Sequence, residues 1–146
     1  MAWNKQSVAQ EKVSPIDTSP SLTLSLPKPP SVNNLFFNLP KRGRIASPEY
    51  KAWRAAASYQ VRAQRPLFFR GPVTLILVIE ESNRCDLDNC LKAPLDLLVE
   101  LGILEDDGPR IVKEIKVRHG QVTGALVTIT AYNDEGPLFQ KNGARA

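Results

Sequence analysis

Two acidic clusters carry the side chains in this sequence that could do chemistry. One is Arg84-Cys85-Asp86-Leu87-Asp88-Asn89, with Lys92 one helical turn further on, and the other is Glu105-Asp106-Asp107. Phosphodiester hydrolysis at neutral pH is served by hard divalent cations, which oxygen ligands hold. Mg²⁺ takes one or two carboxylates together with phosphate oxygens and keeps several waters. Asp86 and Asp88 flank a single residue where a strand should hand over to a helix. In an extended chain residues two apart point the same way, so this spacing aims two carboxylates at one point. A third carboxylate from the second cluster would complete a cage, and Lys92 could hold the scissile phosphate or steady the charge that builds on it. The same residues also have a purely structural reading. In it Asp88 caps a helix, Asp86 favours the positive end of that helix, Lys92 pairs with Asp88 across one turn, and Glu105 to Asp107 form a solvated turn.

The elements that must position these residues can be read from periodicity. Ser21-Leu-Thr-Leu-Ser-Leu26 alternates strictly and predicts a half-exposed strand, ended by Pro27, Pro29 and Pro30. A long loop is expected from Ser31 to Ala46. Ser47 caps a helix with Pro48 at its first position, and Tyr50, Trp53, Ala57 and Val61 share its apolar face. Val73 to Ile79 is apolar on both faces, as in a central strand. Residues 88 to 101 read as a second helix, with Leu91, Leu95, Leu98 and Leu101 in one row, Gly102 at its stop, and Pro94 set to kink it or delay its regular start. Strands are expected at 111 to 118 and 123 to 131, joined through His119-Gly120 to Gly124 as a hairpin. This order fits an α+β domain in which one mixed four-stranded sheet carries two helices. The domain should span residues 21 to 132, between a flexible arm over 1 to 20 and a loose tail over 133 to 146.

The first acidic cluster, as Asp86-Leu87-Asp88-Asn89 with Leu91-Lys92 and the later Asp106-Asp107, resembles the D-L-D-N-x-x-K…D-D signature of the RusA family of Holliday junction resolvases. Leu26-Pro27-Lys28-Pro29-Pro30-Ser31-Val32-Asn33-Asn34 is similar to that family's opening L-P-x-P-P-S-x-N segment, as is the Arg42-Gly43-Arg44 loop. The likeness runs from about residue 22 to 131. It implies a RusA-like fold and a homodimer that binds four-way junction DNA by its shape. It also implies paired nicks across the branch point with Mg²⁺ or Mn²⁺, in recombination and repair. The catalytic and metal-holding roles then fall on Asp86, Asp88 and Asp107, with Asp106 beside the last, and the motif lysine falls on Lys92. By analogy Asn89 would orient a carboxylate. Where well-known members carry a run of arginines before the motif, Ser82-Asn83-Arg84-Cys85 keeps only Arg84, so other basic residues must contribute to DNA affinity. A less selective nuclease on branched DNA and a non-catalytic junction-binding protein are the competing functions.

One length argument bears on how the two clusters could meet. A regular helix over 88 to 101 would be ~20 Å long. Residues 102 to 107 fully extended reach at most ~20 Å. Either the helix is shortened near Pro94, or Asp107 completes the site of the other subunit of a two-fold dimer.

The 146 residues suggest a single domain, and a net charge of +4 suits a polyanionic partner. Lys41, Arg42 and Arg44 in the long loop are the first choice for phosphate contacts, ahead of Lys51, Arg54 and Arg62 on the first helix. Phe36 and Phe37 could wedge bases apart, although packing under the loop is favoured. Cys85 and Cys90 have the spacing of neither a zinc site nor a disulfide framework and are expected to be reduced thiols. The longest apolar run, Val73 to Ile79, is far short of the ~20 residues of a membrane span. With no signal-peptide core at the N-terminus, the expectation is a soluble, cytoplasmic protein.

Overall fold

In a computed structural model of the chain, the structure is described for residues 20–133. Residues 1–19 of the arm expected over 1 to 20, and residues 134–146 of the tail expected over 133 to 146, lie outside the described residues. Six strands and two α-helices follow in the order β1 (Ser21–Leu26), β2 (Phe36–Leu39), β3 (Gly43–Ala46), α1 (Pro48–Ala63), β4 (Val73–Glu80), α2 (Lys92–Glu100), β5 (Val112–Gly120) and β6 (Ala125–Ala131). Single 3₁₀ turns at Val32–Asn34 and Leu87–Cys90 precede β2 and α2. The main sheet has the order β1-β6-β4-β5, with β4 and β5 parallel and the other two pairings antiparallel. This is the expected α+β arrangement of a mixed four-stranded sheet carrying two helices.

Both helices cover one face of that sheet. Tyr50, Trp53, Ala57 and Val61 of α1 are buried with Ala93, Leu97 and Leu98 of α2. They meet Leu24 and Leu26, the β4 residues Val73, Leu75, Leu77 and Ile79, and Ala125, Val127 and Ile129 of β6. Each large apolar side chain so buried contributes about 1.5–3 kcal/mol. The reverse face of β4 is less covered than its apolar sequence suggested, since Ile76 is 38% exposed.

Ser47 fixes the start of α1. Its Oγ accepts from the Tyr50 N–H at 3.0 Å and donates to the Asn34 carbonyl at 2.7 Å, so one hydroxyl caps the helix and ties down the segment before β2. That segment is not the loop expected from Ser31 to Ala46. β2 and β3 form a separate antiparallel hairpin, paired from Phe36 with Ala46 to Leu39 with Gly43. Gly43 takes a φ of +76° after a turn closed by the Arg42 N–H on the Leu39 carbonyl at 3.1 Å.

The second helix is shorter than expected. Regular α geometry begins at Lys92, which makes Pro94 the third helical residue. N–H groups in a first turn have no intrahelical acceptor, so a proline there costs no hydrogen bond. Residues 87–90 instead form the tighter 3₁₀ turn. Gly102, at φ +80°, ends α2 as expected. The Gly102 N–H bonds the Val99 carbonyl and the Ile103 N–H bonds the Leu98 carbonyl, each at 3.0 Å, the two bonds of a Schellman stop.

The hairpin expected between the last two strands does not form, because β4 lies between β5 and β6. A glycine-bounded turn suggests direct pairing, but β4 is the most apolar strand and takes a partner on each side. The 120–124 turn therefore passes over the end of β4. There the Glu81 N–H bonds the Gly120 carbonyl at 3.0 Å and the Glu80 N–H bonds the Gly124 carbonyl at 2.9 Å. Gly124 sits at φ +73°, and a Cβ on it would fall 2.2 Å from the Leu26 carbonyl oxygen. No helix among the described residues is long and apolar enough to cross a membrane.

Candidate metal centre and nucleic-acid interface

The first acidic cluster hangs from the C-terminal end of β4, and Glu80 organises its base. The Glu80 carboxylate accepts from the Gly124 N–H at 2.7 Å and from the Ser82 hydroxyl, and it lies 3.7 Å from Lys28 Nζ. The Ser82 and Gly124 hydrogen bonds, with Lys28 adding its charge, hold Glu80 below the usual carboxylate range. One side chain thus joins the end of β4, the β5–β6 turn and the loop after β1. Asn83 continues the brace, because its Oδ1 accepts from the Cys85 N–H at 3.0 Å and its Nδ2 donates to the Pro29 carbonyl at 3.4 Å. Neither Glu80 nor Asn83 stands out in the sequence, where nothing marks a strand-end glutamate as the tie between three segments.

Asp86 follows in an extended conformation, φ −63° and ψ 146°. Asp88 does not continue that extension, as the two-residue alternation required. It lies inside the 3₁₀ turn, and the Asn89 N–H closes on the Asp86 carbonyl at 2.9 Å. Both aspartates are nevertheless exposed, and neither side chain makes a hydrogen bond or ion pair among the described residues. Capping does not explain them. Asp86 stands at the N-cap of the 3₁₀ turn without a side-chain cap bond, and the N-cap of α2 is Leu91. The ion pair considered between Asp88 and Lys92 is absent too, since Lys92 Nζ lies 3.2 Å from Asp96 Oδ2. Asp96 stands at the same four-residue spacing on the other side of Lys92, so the sequence held both partners and only the helix start at Lys92 chooses between them.

Burial pushes Cys90 up to about 12, helped by its hydrogen bond with Cys85 and by the negative charges of Cys85, Asp86 and Asp88. Both cysteines are free, as expected. The Asn89 amide makes no hydrogen bond among the described residues, so it does not orient a carboxylate here.

The second acidic cluster lies elsewhere. Glu105 Oε1 accepts from the Gly71 N–H at 3.0 Å, just before β4 begins, and Asp106 Oδ2 accepts from the Gly108 N–H at 3.3 Å. Asp107 is exposed and without such a partner among the described residues. The two clusters thus occupy opposite ends of β4. Among the described residues, no three His, Cys, Asp or Glu side chains come together as a metal-holding group. The three-carboxylate cage is not assembled within one chain. Mg²⁺ itself needs only one or two protein carboxylates when phosphate oxygens and water supply the rest.

Exposed basic residues lie on several elements, with only Arg84 adjoining the first cluster in the chain. Arg84 is exposed beside Asp86 and forms no ion pair among the described residues. Lys41, Arg42 and Arg44 are exposed at and beside the tip of the β2–β3 hairpin, and Arg44 lies 3.9 Å from the centre of the Phe36 ring. Phe36 also meets Tyr50 edge-on at 5.5 Å, so it packs as expected, whereas Phe37 is 42% exposed. On α1, Lys51 and Arg62 face solvent, while Arg54 is committed to Glu100 at 2.9 Å. Comparison with models of known protein families finds no match, and comparison with curated protein sequences finds none either.

Proposed function

We propose that this protein is a metal-dependent endonuclease that resolves four-way DNA junctions as a homodimer, in the manner of the RusA family that its sequence resembles. One observation carries the reading. Asp86 and Asp88 are held, exposed and without hydrogen-bond or ion-pair partners among the described residues, on a braced turn next to Arg84 and Lys92. Exposed carboxylates beside nearby cations offset their mutual repulsion when a metal ion and a phosphate arrive together.

Asp86 and Asp88 would hold Mg²⁺ or Mn²⁺, and a bound ion supplies Lewis acidity toward the phosphate. Lys92, one turn after Asp88 in the chain, pairs with Asp96 and retains N–H donors that would turn to phosphate oxygens as charge grows on them. Arg84 offers a planar fork suited to a neighbouring phosphate. Lys41, Arg42 and Arg44 contact the backbone further along the arms. Asp107 is proposed to reach the site of the partner subunit.

The test is cleavage of a synthetic mobile four-way junction with and without Mg²⁺, beside three-way and linear DNA of the same sequence. Mg²⁺-dependent paired nicking confined to the four-way junction is the expected result. Equal cutting of all three substrates would instead make this a less selective nuclease. Tight junction binding with no cleavage in Mg²⁺ or Mn²⁺ would leave a binding protein.

A further inference from the structure

A cleft of about 410 Å³ opens between the loop after β1, the start of α1 and the turn that leads into Asp86. Lys28, Asn34, Glu49, Trp53, Asn83 and Arg84 are among the residues that line it, and it ends against Cys85, one residue before Asp86. The walls are already set. Asn83 clamps the turn to the Pro29 carbonyl, Trp53 Nε1 donates to the Pro27 carbonyl at 3.2 Å, and Pro29 and Pro30 are buried. Three of the polar side chains that line it are left uncommitted. Asn34, Glu49 and Arg84 make no side-chain hydrogen bond or ion pair among the described residues.

The volume lies within the about 300–1,000 Å³ of small-molecule sites. A cleft of that size admits one nucleotide and excludes a stacked duplex. The charges give the occupant a direction. Arg84, which has no carboxylate partner among the described residues, attracts a phosphate, while the Glu49 carboxylate repels it and accepts only from donors such as an exocyclic amino group. We propose that this cleft is a subsite for one unstacked nucleotide of the strand lying across Asp86 and Asp88, with its phosphate toward Arg84 and its base edge toward Asn34 and Glu49. This rests on the nuclease reading above. A branch point suits such a site, because unstacking costs least where a base is already poorly paired.

Two tryptophans are present in the chain, Trp3 and Trp53, so in full-length Trp3→Phe protein the emission reports Trp53 alone. That protein is titrated with 2′-deoxynucleoside 5′-monophosphates without metal. Saturable quenching is expected, weakened about tenfold or more by Arg84→Ala, the loss of one hydrogen bond to a charged group. Asn34→Leu, at an exposed position, should weaken it as well without disturbing the core. Inorganic phosphate should compete only at much higher concentration. Displacement by phosphate at equal concentration would reduce the cleft to a bare anion site and overturn the proposal. So would unsaturable quenching, or unchanged binding in both variants. Junction cleavage measured on the same preparation separates the two readings. Cleavage without nucleotide binding removes only the subsite, and nucleotide binding without cleavage removes only the nuclease.

Discussion

The separation of the two acidic clusters leads to a complementation experiment. β4 has eight residues, and at a rise of ~3.3 Å its first and last Cα atoms stand about 23 Å apart. Asp86 and Asp88 follow its C-terminal end, whereas Glu105 is bonded to Gly71 before its N-terminal end. Asp107 thus stands on the order of 20 Å from the pair it would complete, several times the reach of a carboxylate. If the site is shared across a two-fold dimer, Asp86→Asn and Asp107→Asn are each inactive alone. Mixed and allowed to exchange, about half of the dimers carry one chain of each kind. In those, the intact Asp86 of one chain meets the intact Asp107 of the other at one of the two sites. Recovery should approach about a quarter of wild-type nicking, and it should appear as single nicks, since the second site is doubly damaged. Supercoiled cruciform plasmid reads this directly, because single nicks give open circles and paired nicks give linear DNA. A mixture that exchanges subunits, shown by tag transfer, yet stays inactive would refute the shared site. High activity in the Asp107→Asn protein alone would show that this residue is not needed at all.

Other consequences can be checked on single variants. Asp86→Asn and Asp88→Asn should each abolish Mg²⁺-dependent cleavage while gel-shift affinity for the junction holds or rises, because a charge facing phosphate has been removed; cleavage near the wild-type rate in either would dismiss the metal assignment. Lys92→Ala should slow single-turnover cleavage at saturating protein by about 10²–10³, whereas a change in affinity alone would make Lys92 a plain phosphate contact. Neutralising Lys41, Arg42 and Arg44 should flatten the log–log salt dependence of junction binding by about one unit for each phosphate no longer neutralised, and an unaltered slope would move the DNA surface away from the β2–β3 hairpin. Cys90 should resist alkylation at pH 8 in the folded protein and react once unfolded. Since folding raises this thiol from 9.0 to about 12, its contribution to stability is complete below about 9 and is lost as pH climbs toward about 12, which urea melts across that window would show against Cys90→Ala.

Where a feature depended on one short stretch of chain, it could be read from the sequence. The alternation of β1, the Ser47 cap with its four buried partners on α1, and the Gly102 stop all appear where expected. Each is fixed by side chains within a few residues of one another. The β2–β3 hairpin was harder to see, because its strands are four residues long and Phe36-Phe37 gives no alternation. Gly43 was the available signal, at a position whose positive φ favours glycine. Pro94 offered two outcomes, a kink or a late start, and the start won because a first-turn position leaves the proline nothing to break. In the candidate site the residue types were legible, but their bracing was not. Glu80 and Asn83 act through partners brought in by the fold, Gly124 and Pro29 among them, and no local pattern records such partners.

The misplaced hairpin matters most, since it decides where the acidic clusters can be. Had β5 paired with β6 alone, the chain after α2 would have been free to turn back toward Asp86. Parallel pairing of β4 with β5 removes that freedom. Parallel neighbours require the connection to run the full length of the strand before the second begins, and α2 is that connection here. A motif at the start of the crossover and a motif at its end then lie toward opposite ends of β4, and the Glu105 bond to the Gly71 N–H holds the second one there. Shortening α2 to begin at Lys92 does not alter this, because the 3₁₀ turn before it takes up part of the same path. The proposal of a shared site therefore rests on topology more than on loop geometry. Its strength depends on the pairing of Leu75 with Ile115 and of Leu77 with Val117 in the middle of the sheet.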